Sequence, residues 1–145
     1  MFELKEKEKL VVIVTTSGEE VGVYYREPTT KEMHQYHAEA IQRKRNKVTF
    51  RYSEAQYKFG LIIMTGIREG DFGAPGDDGK VVAISSDPNK PNYRKDWLEL
   101  MQRHAGAVII ALGAHVFGGT EALDGDEEKP VGDADGESGE NIDQD

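Results

Sequence analysis

Tyr25-Arg26-Glu27-Pro28-Thr29-Thr30-Lys31-Glu32-Met33 holds a strand stop and a helix start within nine residues. Pro28 fixes its own φ and pushes Glu27 towards extended geometry, so a strand arriving from the N-terminal side stops here. Thr29 followed three residues later by Glu32 is a capping-box pattern, which starts a helix. Thr30 is an alternative N-cap. The stretch therefore predicts a corner, with strand before it and helix after it.

The N-terminal side agrees. Leu10-Val11-Val12-Ile13-Val14-Thr15-Thr16 is β-branched, Ser17-Gly18 is a turn signal, and Val21, Val23 and Tyr25 alternate with Gly22, Tyr24 and Arg26. A period of two on both sides of a turn predicts a β-hairpin. On the other side, Met33, Tyr36, His37, Ala40, Ile41 and Lys44 recur at helical spacing. The helix is expected to carry Arg43-Lys44-Arg45 on its last turn, where the backbone dipole favours cations, and to end with Asn46 at C′.

Farther along, Val48-Thr49-Phe50-Arg51-Tyr52 reads as an extended connector, and Ser53-Glu54-Ala55-Gln56 as a second capping box. Ala55 to Ile67 is apolar on most of its surface and is expected to be a buried helix; a buried strand at Leu61–Thr65 is the rival. Gly60 and Gly66 are small enough to admit a neighbouring helix. Glu69 to Pro91, rich in Gly, Pro and Asp, is expected to be a long loop with a small hairpin around Asp78-Gly79 and Val81–Ile84. Asp96 is expected to cap a third helix running to Phe117, where Gly118-Gly119 stops it. That helix is apolar on two sides, and Gly106, Ala107, Ala111, Gly113 and Ala114 allow close packing.

The chain of 145 residues suits one domain and contains no cysteine, which excludes disulfides, thiolate metal sites and a cysteine nucleophile. Its formal charge of −9 is unevenly placed. Residues 121–145 hold eleven acids and one base, whereas residues 1–120 are close to neutral at +1. Residues 1–120 are thus expected to form the globular domain and 121–145 a disordered acidic tail. The N-terminus lacks an apolar signal-peptide core, and no apolar run reaches the roughly 18 residues of a membrane helix.

The candidate chemistry is thin. His34 and His37 lie three apart and do not make the His-Glu-x-x-His pattern of a zinc protease. His104 and His115 lie eleven apart, about 16 Å along a helix, too far to share an ion. Asp71-Phe72-Gly73 matches a kinase tripeptide without the other kinase motifs. Asp71, Asp77, Asp78 and Asp87 lack EF-hand spacing, and Lys129 breaks the EF-hand-like start at Asp124. Arg43, Lys44, Arg45, Lys47 and Arg51 form a basic cluster without an RNA-binding aromatic signature, which argues against nucleic acid. No catalytic residue, metal ligand or cofactor is assigned.

A β-hairpin leading into Arg26-Glu27-Pro28-Thr29, with Lys31, Glu32 and Tyr36 on the following helix, resembles the opening of tail assembly chaperones of long-tailed bacteriophages. Tyr52-Ser53-Glu54-Ala55-Gln56, Asp96-Trp97 and Ala114-His115-Val116-Phe117 add to the likeness. The resemblance implies a non-enzymatic protein of the bacterial host's cytoplasm. It would coat the apolar helices of the tape measure protein until tail-tube subunits replace it. Some family members are also made in a frameshift-extended form. Trp97, Met101, Val108, Leu112 and Phe117 are the residues expected to bind that partner, or another tail protein, or a second copy. The Gly/Pro/Asp loop at 69–91 departs from the simple pattern, and keeps a structural virion component (a minor tail or head–tail protein) as the alternative. The fold expected is α+β and helix-dominated: an N-terminal β-hairpin, then three main helices.

Overall fold

The structure, a computed structural model, describes residues 1–5 and 7–118; the acidic tail expected at 121–145 lies outside them. The described residues form β1 (Glu8–Val14), β2 (Glu20–Arg26), α1 (Thr30–Ala40), β3 (Ile41–Lys44), β4 (Lys47–Phe50), α2 (Tyr52–Ile63), β5 (Met64–Ile67), β6 (Gly73–Pro75), β7 (Val81–Ala83), α3 (Trp97–His104) and α4 (Gly106–Phe117). The strands make an antiparallel sheet of order β1-β2-β5 and two separate hairpins, β3-β4 and β6-β7.

This corrects the helix-dominated expectation. Among the described residues the fold is mixed α/β, with four helices and seven strands in three small sheets, and not a hairpin followed by three main helices. Three local events account for the difference. First, α1 stops at Ala40: Ile41, Gln42, Arg43 and Lys44 pair with Phe50, Thr49, Val48 and Lys47 instead of continuing the helix. Asn46 is thus a hairpin-turn residue, not a C′ cap. Second, the Ala55–Ile67 segment begins earlier, at Tyr52, and changes type at Met64, where it joins β2 as the third strand. Its N-cap is Arg51, so the Ser53 capping box does not form. Third, the expected helix from Trp97 to Phe117 breaks at Ala105 (φ −130°, ψ 37°), and its halves diverge by 93°. Its two apolar sides belong to two helices that pack in different directions.

The opening corner forms as read. Thr29 Oγ1 accepts from the Glu32 amide at 3.1 Å, and Glu32 Oε1 accepts from the Thr29 amide at 2.9 Å. The structure adds what the sequence left unexplained. Arg26, the last residue of β2, forks onto both Glu32 oxygens, at 2.9 and 2.8 Å. Glu27 takes Lys9 of β1 at 2.6 Å across the sheet end. Strand end and helix start are thereby joined through one carboxylate.

The fork and the capping bonds hold the Glu32 carboxyl down to about 2 from an ordinary value of 4.5. A carboxylate whose pKa falls on folding stabilises the protein above its unfolded value and loses that contribution as pH drops towards its folded value. Glu32 should therefore contribute on the order of 2 kcal/mol at neutral pH, lost between about pH 4.5 and pH 2. Glu32→Gln keeps the capping geometry and removes the charge. Its urea midpoint is expected to fall below wild type at pH 7 and to converge on it near pH 2. Parallel curves across that range would refute the assignment.

The core lies between the sheet and the helices. Val21, Val23 and Tyr25 face inward from β2, with Val11 and Ile13 of β1 beside them. Tyr36 of α1, Phe59 of α2 and Phe117 of α4 form one aromatic cluster: Tyr36 stacks on Phe117 at 4.8 Å and meets Phe59 edge-on at 5.9 Å. The helices α2 and α4 cross where Gly60 faces Gly113. Gly60 and Gly113 thus serve close helix packing, as expected from the sequence, whereas Gly66 lies in β5 and faces Ser86, not a helix. On the outer face, Leu10 (44%), Val12 (44%) and Val14 (64%) of the edge strand β1 are exposed.

Candidate partner-binding cleft

The segment from Arg68 to Arg94 is anchored at several points. Asp71 Oδ2 accepts from the Gly22 amide and from Arg68 Nε, each at 2.7 Å, which ties the segment to the outer face of β2. Ser86 Oγ accepts from the Ile67 amide at 3.0 Å. The buried Ser85 donates from its hydroxyl to Glu69, and its backbone bonds Asn92 and Arg94. Asp71-Phe72-Gly73 is therefore an anchor followed by an apolar residue. The expected hairpin is present as β6 and β7, with the Gly76 amide donating to the Lys80 carbonyl at 2.8 Å in the turn.

These anchors set Phe72 and β6 opposite α3 and leave a cleft of about 410 Å³ between them. Its walls are Phe72, Gly73, Ala74, Pro75 and Ile84 on the loop side, and Trp97, Leu100, Met101, His104 and Ala105 on the helix side. Residues 97, 100, 101 and 104 share one helix face. The lining is apolar except for His104 at the rim, and the outer side of α3 carries a Glu99–Arg103 pair at 2.7 Å. A cavity of this size has room for one or two large apolar side chains.

Two of the five residues expected to meet a partner line this cleft: Trp97, half-buried, and Met101, buried at its base. Val108, Leu112 and Phe117 do not join them. All three are buried in the core beneath α4, so the bend at Ala105 separates the set. Phe72, Ala74, Ile84 and Leu100 were missed. Leu100 was legible, three residues after Trp97; the other three reach the cleft only through the loop's anchors.

No family model, curated protein or solved structure matches the chain.

The other candidates do not assemble. His34 and His37 are exposed on α1, His104 sits at the cleft, and His115 lies edge-on to Tyr25 at 6.2 Å. Among the described residues no three His, Asp or Glu side chains are grouped to hold a metal ion. No single helix among them is long and apolar enough to cross a membrane.

Proposed function

We propose that the chain is a non-enzymatic tail assembly chaperone of a long-tailed bacteriophage, acting in the host cytoplasm on the tape measure protein. The observation that carries this reading is the apolar cleft between α3 and the β6–β7 hairpin. An amphipathic helix docks by placing large apolar side chains into such a groove. The cleft is shallow enough to hold one or two residues, which suits a chaperone that must release its partner to tail-tube subunits. The resemblance at the opening corner supplies the partner's identity.

Co-expression with a long helical tape-measure-like protein tests it. Wild-type chain is expected to raise that protein's soluble yield several-fold. Trp97→Ala with Leu100→Ser is expected to cancel most of the gain, while Val48→Ser, on the exposed strand β4 that contributes nothing to the cleft, leaves it intact. An unchanged gain in the cleft variant, at an unchanged thermal midpoint, would remove the cleft from the reading.

A structural virion component is the second reading, favoured by β1. Its outer face exposes Leu10, Val12 and Val14, and it ends the sheet order, which is the geometry for adding a strand from a neighbouring subunit. Recovery of the chain from mature particles would favour this role over the chaperone.

A further inference from the structure

The basic cluster at 43–47 has lost its intramolecular explanation. On a helix end, those cations would offset the backbone dipole. The helix stops at Ala40, and they stand on the β3–β4 hairpin instead. There the local physics opposes them. Lys44 is directly opposite Lys47, and like charges across a strand pair repel. Arg45 sits at φ +54°, in the left-handed region that a turn ordinarily gives to Gly or Asn. Arg43, Lys44, Arg45 and Lys47 are all exposed, and none forms an ion pair among the described residues.

The complementary charge belongs to the same chain. Residues 121–145 carry eleven acids and one base. The described chain ends at Gly118, whose carbonyl accepts the Tyr36 hydroxyl at 2.6 Å. Tyr36 lies one turn before Ala40, where α1 passes into β3. One helical turn is about 6 Å, and the hairpin tip lies about 15 Å beyond Ala40 at strand spacing. Residues 119–145 can span that distance several times over at about 3.3 Å per residue. A tether of this length holds the acids at roughly millimolar effective concentration near the hairpin.

We propose that the β3–β4 hairpin is the docking site for the chain's own acidic segment, residues 121–145, whose carboxylates pair with Arg43, Lys44, Arg45 and Lys47. The hairpin face that carries Arg43 also has the chemistry to meet a polynucleotide: Phe50 lies on it, is exposed and stacks on Tyr52 at 5.9 Å. The tethered segment is favoured because any free polyanion must displace it.

Zero-length carbodiimide cross-linking of the full chain, read by mass spectrometry, tests this. Links from Lys44 and Lys47 to carboxylates of 121–145 are expected to exceed those from Lys58, Lys80 and Lys95. They should be independent of protein concentration and fall several-fold in about 0.5 M NaCl, where exposed charges are screened. Arg43→Gln with Arg45→Asn keeps both lysines and relieves the turn; it is expected to reduce those links several-fold. Links spread evenly over the lysines overturn the proposal. Links that grow with protein concentration also overturn it, in favour of a second copy. Absent links, with the full chain binding a labelled oligothymidylate, overturn it in favour of nucleic acid.

Discussion

Gly113→Ala should destabilise the protein by about 3 kcal/mol or more, at the upper end of what overpacking a core costs. A Cβ at this position would stand 2.7 Å from the Gln56 carbonyl carbon and closer still to its oxygen. Those are backbone atoms in the middle of α2, so no rotamer change relieves the clash. The two helices must separate. Gly60 makes the reciprocal approach, with a Cβ there falling 2.5 Å from the Ile109 carbonyl oxygen. The helices carry Phe59, Ile63, Ile109 and Leu112 at the same crossing. Separating them therefore loosens most of the core at once. Gly106→Ala is the control, since a Cβ there meets only the Tyr57 ring at 3.8 Å. Its replacement by alanine should be neutral or slightly stabilising. Urea denaturation of the two variants checks the contrast; equal midpoints would mean that α2 and α4 do not cross at these glycines.

Tyr36→Ala should cost about 4 kcal/mol, the range for emptying a buried aromatic site. Tyr36 is fully buried, stacks on Phe117 and meets Phe59 edge-on. Its hydroxyl donates to the Gly118 carbonyl at 2.6 Å, and Gln56 Nε2 donates to the same oxygen at 3.2 Å. Tyr36→Phe separates the ring from the hydroxyl. It should cost only about 1 kcal/mol, because Gln56 still satisfies that carbonyl and a single hydrogen bond contributes about that much. Burial also raises the Tyr36 phenol above its usual value. Thermal or urea unfolding of the pair gives the ratio. A Phe variant as damaged as the Ala variant would place the energy in the hydroxyl instead of the ring.

The opening corner was legible because its determinants are local. Pro28 ends a strand by its fixed φ, and the side chains of Thr29 and Glu32 accept from each other's backbone amides within one turn. The link from Arg26 to Glu32 was not legible, although the two lie only six residues apart, because it needs the strand to arrive at one particular angle. The β3–β4 hairpin was lost for a chemical reason. Its turn is Arg45-Asn46, and Arg45 adopts a conformation that its side chain disfavours. A Gly there would have announced the turn. The break at Ala105 was hidden because Gly106, a weak helix former directly after it, was read as a packing residue; the second apolar side of the segment was the other available sign. Part of the helix side of the cleft was visible in the 4-3 spacing of Trp97, Met101 and His104; Leu100 beside them was missed. The loop side depends on Asp71 reaching the Gly22 amide, 49 residues away, which no periodicity encodes.

The bend at Ala105 also divides the C-terminal region into parts of unequal permanence. Helix α4 contributes five buried residues, and α3 one, Met101. Proteins open in cooperative pieces, each at a free energy set by what it leaves exposed. On that scale α3 is expected to open at a lower free energy than α4, which stays packed on α2. The amides of α3 are therefore expected to exchange with solvent deuterium sooner than those of α4, although the two helices are consecutive in the chain.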